Sequence, residues 1–223
     1  MATNVQDILK VSIVFIGEEL LKTPDQYTAF SDAIDTEVTI EFPNVATGQF
    51  QGNLGSVRKI ELPKERITLE LSENTTVINI EYPRYESLSR LIEVTGHAVN
   101  NTELDSSSSI TLRYIIDLVY DQTSGESALQ YVGKRLFGDF KIEIDEWSLG
   151  GGIGTLDFNS KDGRWYLQLE PRFRDESATK VFMSLNLLKH NQQIPSNDTI
   201  KPSLDTVWGN VHKIIPIIDG RSP

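Results

Sequence analysis

The stretch RITLELSENTTVINIEY, residues 66–82, decides the fold class. Ile67, Leu69 and Leu71 alternate with Arg66, Thr68 and Glu70, and Ile78, Ile80 and Tyr82 continue the same period. Strand side chains point to opposite faces in turn, so each run has one apolar and one polar face. The polar Ser72-Glu73-Asn74 between them predicts a hairpin of strands Arg66–Leu71 and Thr76–Tyr82, with Tyr82 facing inward. Strands that are half apolar and half polar belong to an antiparallel sheet covered on one face.

Upstream, Ser56–Leu62 reads as a further strand and Ile8–Gly17 as an apolar, β-branched one. Between them, Thr23-Pro24-Asp25-Gln26 has the form of a helix start, with Thr as cap, Pro in the first position and Gln closing a capping box. Tyr27, Phe30 and Ile34 give that helix its apolar stripe. Downstream, Pro83 ends the sheet, and Arg84–Ala98 reads as a helix with Tyr85, Leu88, Ile92 and Thr95 on one side.

The order then recurs. Ile110–Tyr120 reads as a strand, and Thr123-Ser-Gly-Glu126 as a second capping box opening a helix striped by Ala128, Leu129, Val132 and Leu136. Strands are expected at Asp139–Trp147, Ile153–Phe158, Arg164–Glu170 and Thr179–Leu187. A polar loop from His190 to Pro202 leads to a last helix from Ser203, striped by Leu204, Val207, Trp208, Val211, Ile214 and Ile215 and ended by Pro216. The expected fold is α+β, made of two similar β-α-β(4)-α halves with antiparallel sheets and helices packed on one face. Residues 1–100 form the first half and 110–223 the second. The linker, 99–109 (VNNTELDSSSS), has little that could pack.

Composition excludes several chemistries. With no Cys in 223 residues there is no disulfide, thiol nucleophile or thiolate metal site. A net charge of −11 opposes nucleic-acid backbones and anionic lipid surfaces, since binding DNA needs basic groups to displace counterions. The N-terminal residues do not read as a signal peptide, and the apolar runs are far short of the roughly 20 residues that span a bilayer. The expectation is a cytoplasmic chain without cofactor, metal, nucleic-acid or membrane partner, for which a protein partner or homodimer is open.

Candidate sites are few. Leu149-Gly150-Gly151-Gly152-Ile153-Gly154 precedes a strand, not a helix, and so reads as a wide turn, not a phosphate cradle. Asp157, Asn159 and Asp162-Gly163 read as a hairpin turn, since the Gly falls late for a calcium loop and no Glu closes it. His97, His190 and His212 are isolated in sequence and lack metal-ligand spacing. The carboxylate pairs Asp117 with Asp121 and Glu143 with Asp145 lie on solvated strand faces, where acid–base roles do not separate. The best basic patch, Arg164, Arg172 and Arg174, is read as a solvated face paired with Glu170 and Asp175.

Arg113 and Asp117 occupy the less apolar face of an otherwise hydrophobic strand, and a buried charge must find a partner. The plainer reading is a structural ion pair tying sheet to helix. The sharper one is an anion-recognising arginine in a pocket between the halves. With Tyr114, Trp165 and Trp208, these two complete the expected ligand-binding set, the aromatic residues lining any cavity between sheet and C-terminal helix.

The order β-α-β(4)-α twice over resembles the TATA-binding-protein-like topology, in architecture alone. Leu112-Arg113-Tyr114-Ile115, the following helix and the C-terminal spacing of Leu204, Asp205, Trp208, Val211 and Ile214 are similar to a sporadically distributed family of uncharacterised bacterial proteins. That resemblance implies a bacterial, cytosolic protein without an established activity. The reading that results is a non-enzymatic protein-binding or interaction module. The alternative is a small-molecule-binding or hydrolase/cyclase-like protein with a cavity between sheet and C-terminal helix.

Overall fold

The computed structural model describes residues 7–41, 57–104, 110–121, 143–144, 147–148, 156–159, 164–171, 180–192 and 195–218. The chain is α+β. Among the described residues, nine strands form one antiparallel sheet, and three helices pack on one of its faces.

At the centre lies β1 (Asp7–Ile16), between β5 (Thr75–Glu81) and β6 (Ile110–Asp121). Beyond β5 come β4 (Ile67–Ser72), β3 (Arg58–Leu62) and β2 (Thr39–Glu41). Beyond β6 come β11 (Lys180–Gln192), β10 (Trp165–Pro171) and β9 (Leu156–Asn159). The sequence reading gives each half its own sheet, and the β1–β6 ladder joins those strands edge to edge into one. A separate ladder pairs β7 (Glu143–Ile144) with β8 (Trp147–Ser148). Because Ile144 pairs with Trp147 in that ladder, the expected single strand Asp139–Trp147 does not form.

The hairpin of residues 66–82 forms in the expected register, with Ile67 opposite Ile80 and Leu69 opposite Ile78. Tyr82 is the exception. It has a left-handed backbone (φ 47°), its N–H donates to Leu9 O at 2.8 Å, and its side chain is 60% exposed. Strand alternation stops at Glu81, so the inward position that periodicity assigns to Tyr82 does not exist.

Helix α1 (Pro24–Ala33) begins as its sequence dictates. Thr23 accepts from the Gln26 N–H, Gln26 reaches back to the Thr23 N–H, and Pro24 takes the first turn. Tyr27, Phe30 and Ile34 are buried. The bend from β1 into α1 is held from a distance. The Leu20 N–H donates to Thr76 Oγ1 at 2.8 Å and the Leu21 N–H to Thr102 Oγ1 at 3.0 Å. Thr102 is buried and Leu104 packs against the core, so the start of the expected linker is folded structure; residues 105–109 lie outside the described ones.

A 3₁₀ turn (Tyr85–Ser87) precedes α2 (Leu88–Asn100), which takes Tyr85 off the helical stripe and leaves it 45% exposed. Helix α3 (Asn197–Ile218) starts six residues before the expected Ser203 and continues through Pro202 and Pro216. Its first turn is held by the buried Ile200 and by N–H groups of Thr199 and Ile200 donating to Ser196 O, which outweighs the hydrogen bond that Pro202 cannot make. Helix α2 packs on β5, α3 packs on β6 and β11, and the two helices touch. Gly96 permits that contact, because a Cβ there would collide with Asn197 Oδ1.

One core fills the space beneath the helices. Val11, Ile13, Phe15, Ile78, Leu112, Tyr114, Ile116, Met183 and Leu185 line it from the sheet, and Leu91, Val94, Leu204, Val207 and Val211 from the helices. The second capping box at Thr123, the helix predicted after it and the Gly run at 149–154 lie outside the described residues.

Candidate functional site

The contact between α2 and α3 is tight at Gly96 and opens towards the helix N-termini. There a cleft of about 460 Å³ lies between Tyr85–Ile92 and Asn197–Asp205. Leu88, Ile92 and Pro202 supply apolar wall, and Glu86, Asp198, Lys201 and Asp205 charged wall. That size suits a small ligand or a few side chains.

A hydrogen-bonded set shapes the mouth. Tyr85 Oη donates to Asp205 Oδ1 at 2.9 Å, and Lys201 Nζ donates to Asp205 Oδ2 at 2.7 Å. The Tyr85 ring also meets that of Trp208, with centroids 5.6 Å apart and planes at 56°. The Lys201 hydrogen bond holds the Asp205 carboxyl below the usual range, aided by Tyr85. In turn Asp205 raises both the Tyr85 hydroxyl and the Lys201 ammonium. The charge balance of Glu86, Asp198 and Asp205 against Lys201 favours a cationic occupant.

A second polar group ties α3 to the sheet. Lys189 Nζ donates to Ser203 Oγ at 2.7 Å, and Ser203 Oγ donates to Thr199 O at 3.0 Å. Tyr114 lies beside Ser203, and burial raises its hydroxyl pKa. Ser, Lys and Tyr together can make a nucleophile and its base. Here Ser203 is 1% exposed and its proton is committed to a helix carbonyl, so the trio acts as a polar tie. Sequence reasoning missed it, although a Lys on the apolar phase of β11 is the signal.

The five expected ligand-binding residues do not converge. Tyr114 is a core residue at 1% exposure, and Trp165 packs against the same core. Trp208 is half-buried at the cleft mouth beside Tyr85. Arg113 and Asp117 lie on the opposite face of β6, away from the described helices. They are four residues apart on one strand, about 13 Å, so they do not pair. Arg113 Nε donates to Asn186 Oδ1 at 2.8 Å, and its guanidinium lies 5.8 Å from the centroid of Tyr166. Asp117 faces Lys10 Nζ at 3.8 Å, in a shallow hollow of about 300 Å³ with Glu81, Tyr82 and Phe182. The expected ion pair tying sheet to helix is therefore absent at Arg113, whose partners belong to β10 and β11.

Other candidates resolve simply. His97 lies 3.9 Å from Glu93, while His190 and His212 are exposed. Among the described residues no three His, Asp or Glu gather where a metal could be held, and no helix is long and apolar enough to cross a membrane. Arg164 is exposed, and its expected companions Arg172 and Arg174 lie outside the described residues. No protein-family model matches the chain, and no curated protein matches it either.

Proposed function

We propose that this chain is a non-enzymatic interaction module that receives a basic, amphipathic segment of a partner protein in the α2–α3 cleft. The observation that carries the reading is the cleft itself: apolar in its depth, acidic at its rim, with Tyr85 exposed at its mouth. Exposed aromatic residues beside apolar walls are characteristic of binding surfaces. A cavity between sheet and C-terminal helix is the weaker reading, because Tyr114, Leu204, Val207 and Val211 are buried against one another's elements there.

The frame behind this reading is a duplication of a β-α-β(4)-α unit, similar in outline to the TATA-binding-protein-like topology. Strand order supports it: β1 lies beside β5, β6 lies beside β11, and β1 meets β6. An approximate twofold axis through the Ser12–Ile115 pair would exchange Asn79, opposite Ser12, with Asn186, opposite Ile115. In that frame the cleft lies between the closing helices of the two halves. The bacterial, cytoplasmic family suggested by the Leu112–Ile115 and Leu204–Ile214 spacings is part of the same proposal.

Trp208 reports directly on the cleft. In a chain carrying Trp147→Phe and Trp165→Phe, Trp208 is the sole tryptophan, and acetyl-Leu-Lys-Leu-Leu-Lys-Leu-amide should change its emission saturably. Tyr85→Ala should weaken binding about tenfold, the equivalent of roughly 1.4 kcal/mol. An unchanged emission, or equal binding by the Tyr85→Ala chain, would refute the cleft as the docking site.

A further inference from the structure

The α2–α3 cleft already holds a cation of its own. Lys201 Nζ donates to Asp205 Oδ2 at 2.7 Å, while Asp205 Oδ1 accepts from Tyr85 Oη at 2.9 Å. The two oxygens of one carboxylate therefore have different tasks. The phenol, from the turn before α2, fixes the direction of the carboxylate at the mouth of the cleft, and Oδ2 takes an ammonium group. Glu86 and Asp198, the other acids of the wall, form no ion pair among the described residues, so three carboxylates face one lysine there.

The Lys201–Asp205 pair is looser than the pair that ties α2 to the β3–β4 turn. The Lys201 side chain is 60% exposed and that of Asp205 36%, against 24% and 22% for Arg90 and Glu65. A lysine and a carboxylate four residues apart on an exposed helix face hold one another weakly. Lys201 can leave without disturbing α3, whose inner face is set by the buried Ile200, Leu204 and Val207. The engagement of Oδ1 also selects what can replace it. An arginine fork needs both oxygens of a carboxylate, whereas a lysine ammonium needs only Oδ2.

We infer, on the docking reading of the cleft, that Asp205 Oδ2 recognises a lysine ammonium of the incoming segment and that Lys201 is its internal occupant, which that lysine displaces.

The test is calorimetric titration of the full chain with acetyl-Leu-Lys-Leu-Leu-Lys-Leu-amide. Lys201→Met, which removes the occupant from an exposed helical position, should bind about two- to fivefold more tightly than the parent chain. Asp205→Asn, which keeps an acceptor for Tyr85, should bind about fivefold more weakly. With both substitutions the gain from Lys201→Met should vanish, because no carboxylate remains to compete for. A gain that persists beside Asp205→Asn would make Lys201 a general charge effect and overturn the displacement, as would Lys201→Met binding no tighter than the parent. The peptide with arginine in both lysine positions should bind the parent at least about threefold more weakly, and equal or tighter binding would overturn the lysine assignment. Binding of the lysine peptide without any of these differences leaves the cleft as a docking site and overturns this assignment alone. No binding by either the parent or Lys201→Met overturns both.

Discussion

Arg113 and Tyr114 are neighbours on one strand, yet they belong to different environments. Tyr114 points beneath α3, lies beside Ser203 and is sealed in the core. Arg113 points to the opposite face, where its partners among the described residues are the neutral Asn186 and Tyr166. The same alternation runs through β1, where Val11, Ile13 and Phe15 enter the core and Lys10 and Ser12 do not. The period-two pattern thus separates two tasks on one sheet. One face is apolar core, and the other buries hydrogen-bonding side chains such as Ser12, Asn79 and Asn186.

The sharpest way to break this comparison is to truncate adjacent residues of β6. Ile116 is fully buried beneath the helices, whereas Ile115 is half-buried on the opposite face. Ile116→Ala should cost about 2–5 kcal/mol in urea unfolding, from lost burial and the cavity left behind. Ile115→Ala should cost under about 1 kcal/mol. Equal losses would mean that both faces are core.

A smaller effect sharpens the picture at the edge of the core. Tyr27 Oη is buried without a hydrogen-bond partner among the described residues, and burial raises its pKa to about 12. The folded state therefore favours the neutral phenol. Its contribution is intact below the ordinary tyrosine value near pH 10 and is lost as pH climbs towards about 12. Tyr27→Phe should remove that alkaline loss and change stability at pH 7 by no more than about 0.5 kcal/mol, since no hydrogen bond is broken. A larger loss at neutral pH would reveal a partner for the hydroxyl.

Much of this was legible because it depends on neighbours in sequence. Alternation in residues 66–82 set the hairpin register, and Thr23 to Gln26 set the start of α1. Long-range contacts decided what was not legible. Pro202 marks a helix start by local rules, and only the burial of Ile200 carries α3 back to Asn197. Spacing places Tyr85 on the helical stripe, but the 3₁₀ turn directs it towards Asp205, 120 residues away. The site residues were least legible: periodicity put Arg113 and Asp117 on the same, less apolar face of β6, but could not tell that Asn186 and Tyr166, from other strands, would meet Arg113.

The central claim is that Arg113, held by neutral partners among the described residues, contributes less to the fold than the arginines paired with carboxylates. Urea unfolding of Arg113→Gln beside Arg90→Gln tests it most directly. Arg90→Gln should lose about 1.5–3 kcal/mol, because Glu65 and Glu93 lose their charged donor. Arg113→Gln should unfold within about 0.5 kcal/mol of the parent chain. A loss at Arg113 as large as that at Arg90 would make its guanidinium a structural strut and contradict the account.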